Sequence, residues 1–508
     1  MRRLLPSAFS FYETDSANPL LIAAVARAKE LAPRQVELTP TEGPTFEKRR
    51  TWGISNRTKI QLGAITIKNI LGYRHGTYNF NLDGDGSVLP MSGIRPNGPI
   101  AVPGFDNPDF GNRTKTLTEE LQFQGQGLDG RLDWIVGGFY SRTRQTVVSN
   151  YYVSLYDPFP MLIDASLGVR TRTTSKAVFG QATFKPLDKL SVTAGYRYTE
   201  DRTRSVNTTV NNLVNPFFGL FPCGIDIPGH DPTDLTGCFR EQRSSFNAGA
   251  YNISADYRLA SQWLVYIAHR HGSNPGGVNT LALPPAYARF QSYGSEKIDD
   301  LEVGVKGSWH SSGLSGFVTM AGYRSWYKGR QRSFPVTTGS VVINAADSVI
   351  TGVEIQSNIK WKGLSLDAAY THTDARFDRF QDVDGVNLDG NAYAFVPKNK
   401  LNLSAQYVVD LKAAGRLTPS VNYLWQGKFF YTDQSNLYPS AFIPSYDVLN
   451  ARLAWSPVDD RLEIALFARN LTNKDYIQTG DRSLPGAGRV LYGEPRTYGI
   501  QIKARFGE

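Results

Sequence analysis

The feature that most constrains this chain is a two-residue rhythm. In Leu190-Ser-Val-Thr-Ala-Gly-Tyr-Arg-Tyr198, Leu190, Val192, Ala194, Tyr196 and Tyr198 alternate with Ser191, Thr193, Gly195 and Arg197. A strand sends successive side chains to opposite faces, so this segment has one apolar face and one wet face. Leu301, Val303, Val305 and Trp309 likewise oppose Glu302, Lys306 and Ser308, and Val353, Ile355, Ile359 and Trp361 oppose Glu354, Gln356, Asn358 and Lys360. Tyr498, Ile500, Ile502, Ala504 and Phe506 oppose Gln501, Lys503 and Arg505. In a soluble sandwich the apolar face meets a second sheet. In a membrane barrel it meets lipid, and the wet face lines a lumen.

The connections decide between the two. About seventeen strand candidates follow a non-strand start. Tight turns join Trp52–Leu62 to Ala64–Phe80, Leu117–Gly125 to Arg131–Val148, and Lys176–Lys185 to Leu190–Arg204. They also join Ser245–Leu259 to Trp263–His271, Ile298–Trp309 to Gly316–Gln331, and Val341–Trp361 to Leu364–Arg379. Lys400–Leu411 turns into Leu417–Tyr431, Tyr446–Trp455 into Arg461–Asn470, and Thr497–Phe506 stands last and alone. Much longer connections separate the pairs, among them Asp83–Lys115, Val206–Arg240, Gly272–Lys297 and Asn473–Arg496. Outer-membrane barrels sort short periplasmic turns from long outer loops; a sandwich has no reason to. The expected fold is all-β, a transmembrane antiparallel barrel with short periplasmic turns and long extracellular loops.

Composition agrees. The 508 residues are 41% hydrophobic and 12% aromatic, with 26 Tyr and 27 Phe, which suits interfacial girdles. No apolar run is long enough for a transmembrane helix; the best, Pro19-Leu-Leu-Ile-Ala-Ala-Val-Ala26, is far too short. The net charge of +9 is scattered rather than clustered, so it reads as wet wall and loops and not as a nucleic-acid surface. Cys223 and Cys238 are the two cysteines, both inside one polar, Pro/Gly-rich loop. They read as a loop disulfide of an oxidising compartment, with two free thiols as the alternative. Neither has a CxxC partner for a metal site. The start, Met1-Arg-Arg-Leu-Leu-Pro-Ser-Ala-Phe-Ser-Phe11, lacks a convincing apolar core and a cleavage site, so it reads as no signal peptide.

The C-terminal end carries a family resemblance. Leu466-Phe-Ala-Arg-Asn-Leu-Thr-Asn-Lys-Asp-Tyr476 resembles the penultimate-strand signature of TonB-dependent outer-membrane receptors, and Gly493-Glu-Pro-Arg-Thr-Tyr-Gly-Ile-Gln-Ile-Lys-Ala-Arg-Phe506 their final strand. Earlier segments agree in order: Thr118–Gln124 before Trp134–Tyr140, Phe179–Thr183 before Thr193–Tyr198, Pro275–Asn279, Leu301–Lys306, and Asn344–Ala346 before Gly352–Ile355. The resemblance covers about residue 50 to the end. It implies a barrel of about 22 strands with a plug inside, a Gram-negative outer-membrane location, uptake of a small-molecule nutrient such as a siderophore–iron complex or a saccharide, and energy from the TonB complex. Outer-membrane lipid is the expected surround, no nucleic acid is expected, and the barrel is expected as a monomer. Phe506 stands near the place of the family's terminal aromatic, the assembly signal, with Gly507 and Glu508 following.

The chain departs from that pattern in showing no plug, coupling segment or signal peptide. Single-chain bacterial barrels have even strand numbers, whereas this count is odd. If the last strand is about the twenty-second, the first is about the sixth. The expectation is therefore an incomplete barrel of roughly 17 of 22 strands, not competent alone, with a passive porin-like channel or a non-functional gene fragment as the alternative. Residues 1–48 read as an irregular segment of an extracellular loop, and 49–508 as the barrel portion.

Chemistry-bearing residues are few. His269 and His271 share a strand face and could ligate a metal, but read better as rim residues. Asp299, Asp300 and Glu302 read as wet-wall residues, and Asp83-Gly-Asp-Gly86 as a turn that lacks EF-hand spacing. No G-x-S-x-G, H-E-x-x-H or P-loop occurs, so no enzyme, cofactor or metal site is expected. Tyr151, Tyr152, Phe217, Phe218, Phe221 and Tyr492 are loop aromatics that could face a ligand or pack on one another; no ligand-binding residue is assigned.

Overall fold

The computed structural model describes residues 10–14, 19–31, 46–83, 92–95, 111–156, 160–211, 222–224, 227, 229–280, 285–336, 339–481 and 487–506. Seventeen strands form the main sheet. They are β1 (Phe46–Leu62), β2 (Ile65–Asp83), β3 (Gly111–Gly127), β4 (Leu132–Tyr156), β5 (Pro160–Leu187) and β6 (Leu190–Asn211). Next come β7 (Arg240–Ala260), β8 (Trp263–Asn274), β9 (Glu296–Ser311), β10 (Leu314–Val336), β11 (Gly339–Trp361) and β12 (Leu364–Phe380). The last are β13 (Asn399–Tyr407), β14 (Arg416–Gln426), β15 (Tyr446–Ser456), β16 (Leu462–Arg469) and β17 (Thr497–Ala504). Each pairs antiparallel with its chain neighbour from β1 to β17.

Among the described residues no ladder joins β1 to β17. The one closed circuit is local: the short strand Ser92–Arg95 pairs with both β2 and β4 beside β3. The sheet is an open barrel wall, not a closed cylinder. Both margins are bare: β1 is exposed along its whole length, and Ile500 and Ile502 of β17 are each 68% exposed. An odd number of strands makes β1 and β17 run the same way.

Register confirms the rhythm. On one face Ile267 faces Val303, Val303 faces Gly322, and Gly322 faces Val353. One residue along, on the other face, Ala268 faces Glu302, Glu302 faces Tyr323, and Tyr323 faces Gly352. The apolar face is the outward one; Val303 is 54% exposed there. Trp134, Trp263, Trp309 and Trp361 lie on it near the tight turns, and Trp52, Tyr73 and Tyr251 on it nearer the other end, as membrane girdles do. Rings also cover cross-strand glycines. A Cβ on Gly125 would stand 2.7 Å from the Trp134 ring, so only hydrogen leaves the ring its seat. The inner face is tied by threonine pairs across strands, Thr116 to Thr143 at 3.2 Å and Thr183 to Thr193 at 2.9 Å.

The tight turns gather at one end, where Gly63 (φ 60°) and Gly313 (φ 78°) take the left-handed conformation that glycine adopts without strain. The strands outrun the expected bounds at the other end. The expected strand Lys176–Lys185 belongs to the 28-residue β5, and β4 reaches Tyr156. Beyond the lipid band both faces are wet, so the apolar rhythm stops while the backbone ladder continues.

Residues 1–48 are not wholly irregular. Ser10–Thr14 is a strand that pairs with Ala487–Tyr492 in the connection between β16 and β17, and Pro19–Leu31 is a helix with Val25 buried. Its Leu- and Ala-rich sequence favours helix, and Pro19 suits a first turn. Phe46–Lys48 already belong to β1.

Val303→Arg is expected to destabilise the membrane-inserted protein by about 2–4 kcal/mol, since it sets a charge in the middle of the lipid-facing band. Gln356→Arg on the inner face is expected to cost less than about 1 kcal/mol. Urea unfolding of the protein reconstituted in phosphatidylcholine vesicles checks both; equal losses would mean the faces are assigned wrongly.

Candidate functional site

The long connections lie at the end opposite the tight turns, and several pack together there. The segment 381–398, between β12 and β13, folds over the inner face of β10–β12. Its backbone is stitched down by Tyr393 N–H to the Ala375 carbonyl (3.2 Å), Leu388 N–H to Phe380 (2.8 Å) and Phe377 N–H to Asn391 (3.1 Å). Its turns are braced by carboxylates: Asp382 accepts from the N–H groups of Asp384 and Val386 (both 2.9 Å), and Asp389 from that of Phe380 (2.6 Å). Val383, Leu388 and Tyr393 thereby close an apolar cluster with Phe334, Val341, Phe377 and Phe380.

Two neighbouring connections join it. From 285–290, the Tyr287 hydroxyl donates to Asp384 (2.9 Å), and Arg289 donates to the Val383 carbonyl (3.1 Å). Asp384 beside it holds the Tyr287 hydroxyl above its ordinary pKa. From 427–445, Asp433 accepts from the Ala394 N–H (2.8 Å), and Asn391 donates to Asn436 (2.8 Å). A second apolar cluster, with Phe429, Tyr431, Ile443, Ile477 and Val490, binds 427–445 to the connection between β16 and β17.

Against this cap stand two arginines from the upper part of β10. The Arg330 guanidinium lies 4.3 Å from the Tyr327 ring centre and 5.1 Å from that of Tyr393. That of Arg332 lies 5.2 Å from both Phe377 and Tyr393. The Phe377 and Tyr393 rings are themselves stacked at 4.3 Å. Such cation–ring contacts contribute about 0.5–2 kcal/mol each, more as water is excluded. Arg330 donates to Glu296 at 3.0 Å, and Arg332 pairs with Asp433. The Nε–H of each arginine is buried without an acceptor among the described residues, a condition that costs about 1–3 kcal/mol. Burial pushes the Tyr393 hydroxyl above its ordinary pKa, so it stays neutral and bonds to Ser348.

Lower on the inner wall the charges are internally matched. Arg270 bridges Asp300 (2.8 Å) and Glu302 (2.6 Å), Ser325 donates to Asp300 (2.8 Å), and Tyr266 donates to Glu302 (2.8 Å). Asp300 and Glu302 are therefore wet-wall residues, but Asp299 is not. It lies on the outward face, where its carboxylate meets His271 Nδ1 at 2.8 Å. Alternation requires this, because residue 299 has the parity of Leu301. His269 and His271 do share one face, the outward one, with the Tyr251 ring 5.6 and 5.3 Å from them. Farther round the wall, an open concavity of about 850 Å³ is lined by Ser404, Asn422, Asn450, Arg452 and Gln501, among others.

Cys223 and Cys238 are joined, with Cα atoms 5.6 Å apart, and Cys238 is fully buried. Phe506 follows β17, 93% exposed. Tyr492 packs against the second apolar cluster. Phe217, Phe218, Phe221, most of Asp83–Gly86 and the side chains of Tyr151 and Tyr152 lie outside the described residues.

Sequence reasoning missed Arg330, Arg332, Phe377 and Tyr393 as a unit. It ended the strand at Gln331, although Arg330, Arg332 and Phe334 continue the alternation against Gln331 and Ser333. Tyr393 had no local signal, since a loop brings it there.

Phe377→Ala is expected to loosen the cap by about 3–5 kcal/mol. Limited proteolysis and hydrogen exchange over 381–398 check this; unchanged protection would mean the cluster does not hold the segment.

The chain matches the family model described as TonB dependent receptor-like, beta-barrel, over residues 7–471. It is 24% identical over 394 residues to the pesticin receptor of Yersinia pestis, covering 76% of this chain and 51% of that protein. The pesticin receptor of Yersinia enterocolitica is 25% identical over the same length. Among solved structures, the ferric yersiniabactin uptake receptor from Yersinia pestis superposes with a TM-score of 0.72 at 17% identity, over 94% of this chain and 65% of that one. The ferric-catecholate import receptor of K12 E. coli superposes with a TM-score of 0.67 at 17% identity, over 97% and 68%. The chain thus spans about half the length of the curated relatives it matches.

Proposed function

Because this chain belongs to the TonB-dependent receptor-like β-barrel family, we propose that it forms the wall and ligand mouth of a Gram-negative outer-membrane receptor. In this reading the receptor captures an anionic siderophore–iron complex and passes it inward with energy from the TonB complex. The barrel acts as a monomer. Its outward face contacts lipid, and the Cys223–Cys238 bridge belongs to an oxidising exterior. Phe506 serves as the aromatic that the assembly machinery reads. The names of its relatives, which bind ferric yersiniabactin or import ferric catecholates, support a metal chelate rather than a saccharide.

One observation carries the reading: Arg330 and Arg332 stand side by side on the inner side of the mouth, backed by the Tyr327, Phe377 and Tyr393 rings and still partly exposed. A negatively charged chelate suits that surface, because the buried rings hold the two guanidinium groups rigidly and leave their exposed edges, 21% and 20% of each side chain, as positive charge facing the lumen. It would compete with Asp433 for Arg332. Asp433 also holds the Ala394 N–H, so capture would loosen 427–445 from 381–398. Binding at the mouth is thereby linked to a shift of the cap. No bond-making is required of the wall; it binds and conducts.

Two measurements test this. Deleting the gene in its native host should abolish TonB-dependent accumulation of one radiolabelled ferric chelate in a panel that also holds oligosaccharides. Uptake unchanged across the panel would overturn the receptor reading. In the purified protein, Arg330→Gln with Arg332→Gln should weaken that chelate's quenching of tryptophan fluorescence by about 10–100-fold, the scale of losing one charged hydrogen bond. An unchanged affinity would move the site elsewhere in the mouth.

A further inference from the structure

The outward face of β3–β7 carries a feature that uptake does not use. In register across five strands, Lys115 faces Arg144, Arg144 faces Arg172, Arg172 faces Arg204, and Arg204 faces Arg243. All five are exposed. Strands lie about 4.8 Å apart, so the row is about 19 Å long. Like charges placed directly opposite destabilise a sheet, and here the arrangement repeats four times running. Only one end is offset: Glu241 pairs with Arg204 and Arg243. None of the described residues supplies a carboxylate to Lys115, Arg144 or Arg172.

The height of the row is equally informative. Below it on the same face lie Leu121, Phe123, Val136, Val178, Tyr196 and Ile253, all exposed apolar residues of the lipid band. Trp134, in the girdle by the tight turns, is ten positions before Arg144 on β4. A membrane crossing takes about 9–11 strand residues. Lys115 and Arg144, each 12 positions from the tight-turn end of its strand, therefore stand where the hydrocarbon ends, at headgroup level, and because barrel strands tilt by about 35–45° the row climbs from there toward Arg243, 17 positions from its turn. Elsewhere at this height the outward face is mixed: Asp299 bonds His271 on β9 and β8, and Arg376 bonds Asp374 on β12.

We propose that Lys115, Arg144, Arg172, Arg204 and Arg243 form a docking strip for anionic, phosphate-bearing lipid headgroups of the outer leaflet. The inference rests on the membrane-spanning reading of the sheet. Guanidinium forks match phosphate oxygens bidentately, and the row spans more than one headgroup. The lipid phosphates supply the counter-charge that the described residues do not give Lys115, Arg144 and Arg172, so lipid binding relieves the repulsion along the row. It would also hold this flank of the wall at a fixed depth.

The test uses the full chain in phosphatidylcholine vesicles, with and without a tenth of the lipid as phosphatidic acid. Flotation on phosphatidylcholine alone reports membrane insertion. Native mass spectrometry from detergent micelles then reports which lipid stays bound. The expected result is flotation in both cases and retention of phosphatidic acid at least tenfold above phosphatidylcholine. Arg144→Gln, Arg172→Gln and Arg204→Gln together should cut that preference about 100-fold, taking about fivefold per cation at an anionic lipid surface. The matching triple lysine variant should keep most of it. In phosphatidylcholine alone the glutamine variant should unfold no earlier than the parent, because repulsion has been removed. Retention of the two lipids alike, an undiminished preference in the glutamine variant, or displacement of phosphatidic acid by inorganic phosphate at equal concentration would each overturn the proposal. Failure to float on either vesicle would overturn the membrane reading and the strip with it, a result separable from flotation without lipid preference.

Discussion

A backbone amide in hydrocarbon has no water to bond, and each one left unpaired costs several kcal/mol. The ladder from β1 to β17 is the answer to that deficit, and most other features of the molecule follow from it. Once every N–H and C=O is committed sideways, side chains can only point out or in. Val303 must then tolerate lipid and Glu302 must tolerate a lumen, one residue apart. A slip of one position would send Lys306 and Glu302 into hydrocarbon, so the register is set by side-chain chemistry as firmly as by the ladder. The bare margins of β1 and β17 are where the same constraint is unmet by the described strands. They run in parallel, so joining them directly would break the antiparallel pattern kept everywhere else.

Above the membrane the constraint relaxes, and a different chemistry takes over. Water can satisfy the backbone there, so loops become possible, and the three segments around 285–290, 381–398 and 427–445 build a small soluble-type core of their own. Phe377, Phe380 and Tyr393 give it mass, and Asp382, Asp389 and Asp433 fix its turns. Arg330 and Arg332 are held between this core and the lumen. They are neither free surface charges nor fully neutralised ones.

Legibility in the sequence follows the same boundary. Inside the lipid band the alternation made all seventeen strands and their tight turns visible, because one face had to be apolar. It failed at Pro160–Ser175 and at Arg332–Val336, where strand continues but both faces are wet. It also failed at Pro19–Leu31, where the rhythm belongs to a helix. The acidic trio was two-thirds right: Asp300 and Glu302 fall on the wall and Asp299 does not, a distinction that parity with Leu301 already contained. The mouth was the least readable part. Phe377 and Tyr393 are separated by a loop, and no local pattern says that a loop folds inward rather than outward. The cation row was hidden for another reason. Its five members are far apart in the chain and become neighbours only through register.

The strands are not of one height. β4 and β5 have 25 and 28 residues, whereas β13, β16 and β17 have 9, 8 and 8. At roughly 3.3 Å per residue, one flank rises far above the bilayer as stiff hydrogen-bonded sheet, while the other ends near its surface. The rim is therefore a slope. Over the tall flank the mouth is bounded by a continuous ladder, and over the low flank by packed connections held together by Phe429, Ile443, Ile477 and Val490. One side of the rim is thus fixed by backbone hydrogen bonds and the other by side-chain packing, so the two sides yield to different stresses.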